Sequence, residues 1–116
     1  MPYTKEYRAA VEAKLAQALP VTSKAMFGGV AFYAEGLIFA LIDDDKLYFK
    51  GAETNIPDYE AAGCNVFVPY EGAKPMPYWE LPAGIIDRPE ELKVWMDKAI
   101  AAAVLLDSQK KTKKKK

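Results

Sequence analysis

Histidine is absent from the 116 residues, and with it the side chain most often used as a base near neutral pH and the commonest ligand for zinc. Hydrolytic triads built on histidine are excluded. The single thiol, Cys64, stands in Ala62-Gly63-Cys64-Asn65-Val66, where no motif supplies a cationic or basic neighbour to ionise it. It reads as an inert core or near-surface thiol. Asp43, Asp44 and Asp45 offer adjacent carboxylates of the kind that hold calcium or magnesium. A calcium loop, however, alternates its ligands, carries a central glycine and closes with a distant glutamate, so a solvated hairpin turn fits them better. Met26-Phe27-Gly28-Gly29-Val30 pairs two glycines without the Gly-Lys-Ser/Thr or three-glycine fingerprint of a phosphate loop, and a strand pattern follows. A bulge or a crowded backbone contact explains them. Tyr48, Lys50, Tyr78 and Glu80 are the residues an enzyme reading would use, and the chain offers no catalytic set. No catalytic, cofactor-binding or metal-binding residue is assigned, and no cofactor is expected.

The elements that carry these residues follow from periodicity. Tyr7, Val11 and Leu15 recur every four residues, widened by Ala10, Ala18 and Leu19, which predicts an amphipathic helix ending at Leu19, before Pro20. From Met26 the pattern changes to short β-branched and aromatic runs that predict three antiparallel strands near 26–33, 37–42 and 46–50. Asn55 is placed to cap a short helix with Pro57 in its first turn and Gly63 at its left-handed end. Two further strands, 66–70 and 76–81, flank the turn Glu71-Gly72-Ala73-Lys74. The prolines at 69, 75, 77 and 82 give no ladder hydrogen bond, so one of these strands lies at an edge or carries a bulge. Asp87, Pro89 and Glu90 make a capping box for a last helix with the apolar stripe Leu92, Trp95, Met96, Ala99, Ile100, Ala103 and Leu106. Trp95, Met96 and Ile100 are expected against the sheet.

A hydrophobic share of 51% and an aromatic share of 12% exceed what a disordered chain carries, so a core forms. The lone cysteine fits a reducing compartment. No apolar run approaches the ~18 residues of a membrane span, and the start of the chain lacks the apolar stretch of a signal peptide, so no membrane contact and a cytoplasmic location are expected. The formal charge of zero hides an asymmetry. Lys110, Lys111, Lys113, Lys114, Lys115 and Lys116 supply six of the 16 positive charges, leaving 10 against 16 acids and a body near −6. Such a body matches a phosphate backbone poorly. The lysine run repels itself and is expected to be disordered over 108–116, after a folded domain of 1–107.

Met26-Phe27-Gly28-Gly29, Gly36 with Leu37-Ile38-Phe39-Ala40, Leu47-Tyr48-Phe49-Lys50, Tyr78-Trp79-Glu80-Leu81-Pro82, and Trp95 with Ala99 stand in one order. From about Arg8 to about Ala103 this ordered set resembles the N-terminal domain of the TfoX/Sxy family of bacterial competence regulators. The resemblance implies an α+β, two-layer α-β-β-β-α-β-β-α fold, similar to secretion-chaperone-like folds, with an antiparallel sheet and helices packed on it. That agrees with the order read from pattern alone. It also implies transcription regulation together with a DNA-bound activator, and no catalysis. Full-length relatives carry a second, helical C-terminal domain, where this chain has the lysine tail.

A regulatory protein-interaction module is therefore expected, its partner a protein such as a transcription factor, with a homodimer as a further expectation. The alternative is weak, non-specific nucleic-acid binding through the tail lysines 110, 111, 113, 114, 115 and 116. Met26, Phe27, Gly28, Gly29, Leu47, Tyr48, Lys50, Tyr78, Leu81, Pro82 and Trp95, the residues carrying the resemblance, are expected to be structural.

Overall fold

Thr4 opens the first helix: its hydroxyl accepts a hydrogen bond from the Tyr7 amide at 3.2 Å, satisfying one free amide of the first turn. α1 (Lys5–Ala18) buries Val11 and Leu15 and stops at Leu19, whose φ of −151° and ψ of 150° are the extended values a residue takes before proline. The computed structural model describes residues 4–26, 29–43, 46–68, 71–82 and 84–114, the side chains of Met26 and of residues 110–114 excepted. Within them follow β1 (Thr22–Met26), β2 (Gly29–Ala34), β3 (Leu37–Asp43), β4 (Lys46–Lys50), α2 (Ile56–Ala61), β5 (Val66–Phe67), β6 (Met76–Glu80), a 3₁₀ turn at Ile85–Asp87, and α3 (Pro89–Lys114).

All strand pairs are antiparallel, in one sheet of order β1-β2-β3-β4-β6-β5. The first expected strand is in fact a hairpin. Residues 22–26 form an additional edge strand that pairs with β2, Met26 standing opposite Gly29. Thr22-Ser23-Lys24-Ala25 shows no apolar alternation because its inner face is polar. Arg8 of α1 donates to the Ser23 hydroxyl at 3.0 Å, and that hydroxyl donates to Glu12 at 2.8 Å. The β2–β3 turn has φ of 54° at Glu35 and 79° at Gly36, the two positive values of a type I′ hairpin.

Register fixes the faces. Val30, Ile42 and Leu47 stand in line, as do Phe32, Ala40, Phe49 and Trp79, and these join Val11, Leu15, Tyr59, Leu92 and Met96 in the core. All three helices cover this one face, giving the two-layer α+β arrangement. A bulge between Phe32 and Tyr33 lets both Phe39 and Ala40 reach that core. β5 is an edge strand, as the prolines require, and its register shift leaves Pro77 and Tyr78 of β6 between the paired Met76 and Trp79. Pro77 thus sits where no ladder bond to β5 is needed.

Three local expectations differ in detail. Asn55 stands at the start of α2 but makes no capping bond; its side chain is used elsewhere, as described below. Asp87 ends the 3₁₀ turn, and its carboxylate pairs with Lys14 of α1 across the fold, while α3 begins at Pro89. α3 also runs past Asp107 to Lys114, so residues 108–114 of the segment expected to be disordered are helical, and 115–116 lie outside the described residues. An anchored helix elongates without paying nucleation again, and cations near a helix C-terminus interact favourably with its dipole. Met96 of α3 is fully buried, with Trp95 and Ile100 half-buried at the core margin. Gly63 ends α2 as expected, with φ of 75°. Its amide bonds to the Glu60 carbonyl and the Cys64 amide to that of Tyr59, the paired bonds of a Schellman cap.

Candidate functional site

Tyr48, Lys50, Tyr78 and Glu80 come together where β4 meets β6. Tyr48 stands opposite Glu80, and Lys50 opposite Tyr78, because strand alternation that sends Leu47, Phe49 and Trp79 to the helices sends their neighbours to the other face. Lys50 Nζ donates to the Tyr78 hydroxyl at 3.0 Å and lies 4.6 Å from the centre of its ring. Tyr78 is buried. Burial, with Tyr33 of β2 adding, pushes its phenol up to about 12. Tyr48 packs its ring on Phe67 of β5 at 4.8 Å. The end of α3 borders this face beside Tyr33, Ile38 and Lys50, and the face carries the half-buried side chains of Tyr33, Ile38, Leu41 and Tyr48.

The arrangement is poor acid–base machinery. A base must give up its proton near neutral pH, whereas Tyr78 is held protonated. Cys64 is half-buried, and burial followed by the nearby Glu80 raises its thiol above the ordinary value, the opposite of what activates a cysteine nucleophile. Among the described residues no group of three or more cysteine, aspartate and glutamate side chains gathers that could hold a metal ion. Asp43 closes the β3–β4 hairpin opposite Lys46, while Asp44 and Asp45 lie outside the described residues.

The TfoX N-terminal domain family matches residues 13–103. The chain belongs to this family. No curated protein matches it. Most motif residues of this TfoX domain converge on the β4–β6 pair. Tyr48, Lys50 and Tyr78 lie on the sheet face opposite Leu47, Phe49 and Trp79. Leu47, Leu81 and Pro82 line a cleft of about 290 Å³ between α1 and the 3₁₀ turn, with Lys14, Lys46 and Glu80 as its charged groups. Trp95 lies apart, under α2, its ring edge-on to Tyr59 at 4.9 Å. Gly29 is a buried strand residue paired with Met26. Phe27 and Gly28, with the bulge or crowded contact expected there, lie outside the described residues.

Two residues of the TfoX domain escape sequence reasoning. Asn55 is the one buried polar residue among those described. Its Oδ1 accepts from the Ala52 amide at 2.7 Å, and its Nδ2 donates to the carbonyls of Lys50 at 3.0 Å and Lys98 at 3.5 Å. It therefore ties the end of β4 to α3, although in sequence it has the look of a helix cap. Gly51 is pinned between β4 and Trp79 by a close approach that nothing in the sequence announces.

Proposed function

We propose that the chain is a non-enzymatic, cytoplasmic, regulatory protein-interaction module. In this reading it acts on transcription with a DNA-bound activator, as the TfoX/Sxy resemblance implies for competence genes. The match to the TfoX N-terminal domain over residues 13–103 carries the reading. The chemistry of the β4–β6 cluster supports it, since Lys50 is engaged with a protonated Tyr78 and the Cys64 thiol is raised. No helix of the described residues is long and apolar enough to cross a membrane. The test is a reporter of activator-dependent transcription in a competent bacterial host. Expression of the chain should change reporter output, and Leu41→Arg, on the sheet face of Tyr48 and Lys50, should remove the effect while circular dichroism stays native. An unchanged reporter, or an effect that survives deletion of the activator, would refute it.

A second reading rests on the six lysines of residues 110–116, which give sequence-independent affinity for nucleic acid. Gel shifts over a range of salt should then show a log–log slope of at most about five on duplex DNA, set by one released counterion per neutralised phosphate. Removal of residues 108–116 should abolish binding, and a truncated chain that still preferred one DNA sequence would overturn that reading.

A further inference from the structure

Between β4 and β5 the chain is tied at two points and pegged at one. The Asn55 side chain is held by the Ala52 amide and the Lys50 carbonyl, and the Asn65 carbonyl accepts from the Glu80 amide at 3.0 Å. Of residues 56–64 between these ties, Tyr59 alone is fully buried. Pro57, Glu60, Ala61, Ala62 and Gly63 are exposed, and Ile56, Asp58 and Cys64 are half-buried. The Tyr59 ring sits between two indoles, stacked on Trp79 at 6.1 Å and edge-on to Trp95 at 4.9 Å. Its hydroxyl goes into that slot without a hydrogen-bond partner among the described residues, so closing the segment forgoes a bond that water restores on opening. The Lys98 ammonium of α3 also donates to Asp58 at 2.9 Å, but this ion pair is exposed and contributes little. α2 itself is six residues long, far too short to persist as a helix without its packing.

We propose that residues 56–64 form a strap that opens as one unit between Asn55 and Asn65, withdrawing Tyr59 and melting α2 while the sheet, α1 and α3 stay folded. A segment held by one buried side chain belongs to the low-stability end of a fold, where local opening precedes global unfolding. What the strap covers gives the opening its consequence. Trp79 and Trp95 both stand among the residues that carry the TfoX resemblance, and opening bares the indole surfaces against which Tyr59 now packs.

Native-state hydrogen exchange of the full chain at low urea tests this. The amides of Ala62, Gly63 and Cys64, bonded to the carbonyls of Asp58, Glu60 and Tyr59, report on the strap, and the ladder amides of β3 report on global unfolding. The three strap amides should share one protection value, at least about a hundredfold below that of β3. It should change little with urea, because a local opening exposes little surface. Ala101→Gly separates local from global opening, since Ala101 is an exposed position inside α3. Glycine there should lower β3 protection about fivefold and leave the strap amides unchanged, because α3 is folded in both the closed and the open state. Strap amides that follow β3 in urea, that lose protection with Ala101→Gly, or whose protection is graded from residue to residue as in simple fraying would each overturn the proposal.

Discussion

Replacing Gly51 by alanine adds one methyl group at a place with no room for it. A Cβ at Gly51 would stand 2.5 Å from Cδ1 and 2.9 Å from Nε1 of Trp79, and 3.2 Å from Cγ1 of Ile56. Ordinary contact begins near 3.4 Å, so the indole would have to retreat by about 0.9 Å, the difference between 3.4 and 2.5 Å. It is not free to do so. One side stacks on Tyr59 at 6.1 Å and 23°, and Tyr59 is itself braced by Trp95. The Gly51 amide also donates to the Pro77 carbonyl at 2.9 Å, which holds its backbone against β6. Overpacking of this kind costs roughly 1–3 kcal/mol. The φ of Gly51 lies outside the left-handed region, so alanine also reduces the freedom of the unfolded chain and returns about 0.4–1 kcal/mol. The net expectation for Gly51→Ala is a loss of about 1–2 kcal/mol in urea denaturation. The decisive comparison is with Trp79→Ala, which removes the indole that supplies both close atoms. In that background Gly51→Ala should be neutral or slightly stabilising. An equal penalty in both backgrounds would refute the steric argument, as would a Gly51→Ala chain as stable as the parent.

Asn55→Ala should cost roughly 2–4 kcal/mol in the same assay, because it removes the acceptor of the Ala52 amide and a donor to the Lys50 carbonyl and opens a cavity. Tyr59 behaves oppositely: its hydroxyl is buried with no hydrogen-bond partner among the described residues, so Tyr59→Phe should leave stability unchanged or raise it by up to about 1 kcal/mol. Glu35, at a positive φ that suits asparagine better, should gain about 0.5–1 kcal/mol on Glu35→Asn. Stability should also fall in alkali. Burial raises Tyr59, with Cys64 and Asp58 adding, and raises Tyr78 to about 12 from an ordinary value of 10.0. The folded state therefore keeps protons that the unfolded chain releases, and stability is full below pH 10 and declines as pH rises toward 12. Urea midpoints measured across that window should drop for the parent and less steeply for Tyr78→Phe.

The features legible in the sequence are those decided within a few residues. Pro20 ends α1, Gly63 caps α2, the apolar stripe of α3 finds the core, and the prolines after Val68 mark an edge strand with a bulge. Each depends on backbone chemistry that a short window contains. β1 was not legible because its inward residue, Ser23, is answered by Arg8 and Glu12, which are remote in sequence. Asp87 likewise looks like a cap until the fold brings Lys14 beside it.

The candidate site shows the same division at its sharpest. Alternation along Leu47-Tyr48-Phe49-Lys50 and along Tyr78-Trp79-Glu80 fixes which residues share a face, but not which strand lies beside which. Only the β4–β6 pairing sets Lys50 on Tyr78, and that pairing spans α2, β5 and the proline-rich turn. The functional consequence follows from the contact itself. A lysine placed against a phenol looks like an acid–base pair when read as composition. Here the phenol is buried and raised to about 12, so at neutral pH it holds its proton, and the lysine donates a hydrogen bond to the phenol oxygen without a proton being exchanged. The pair orders one face of the sheet, beside the half-buried Tyr48 and Leu41, and in the function proposed above that face serves recognition rather than proton transfer.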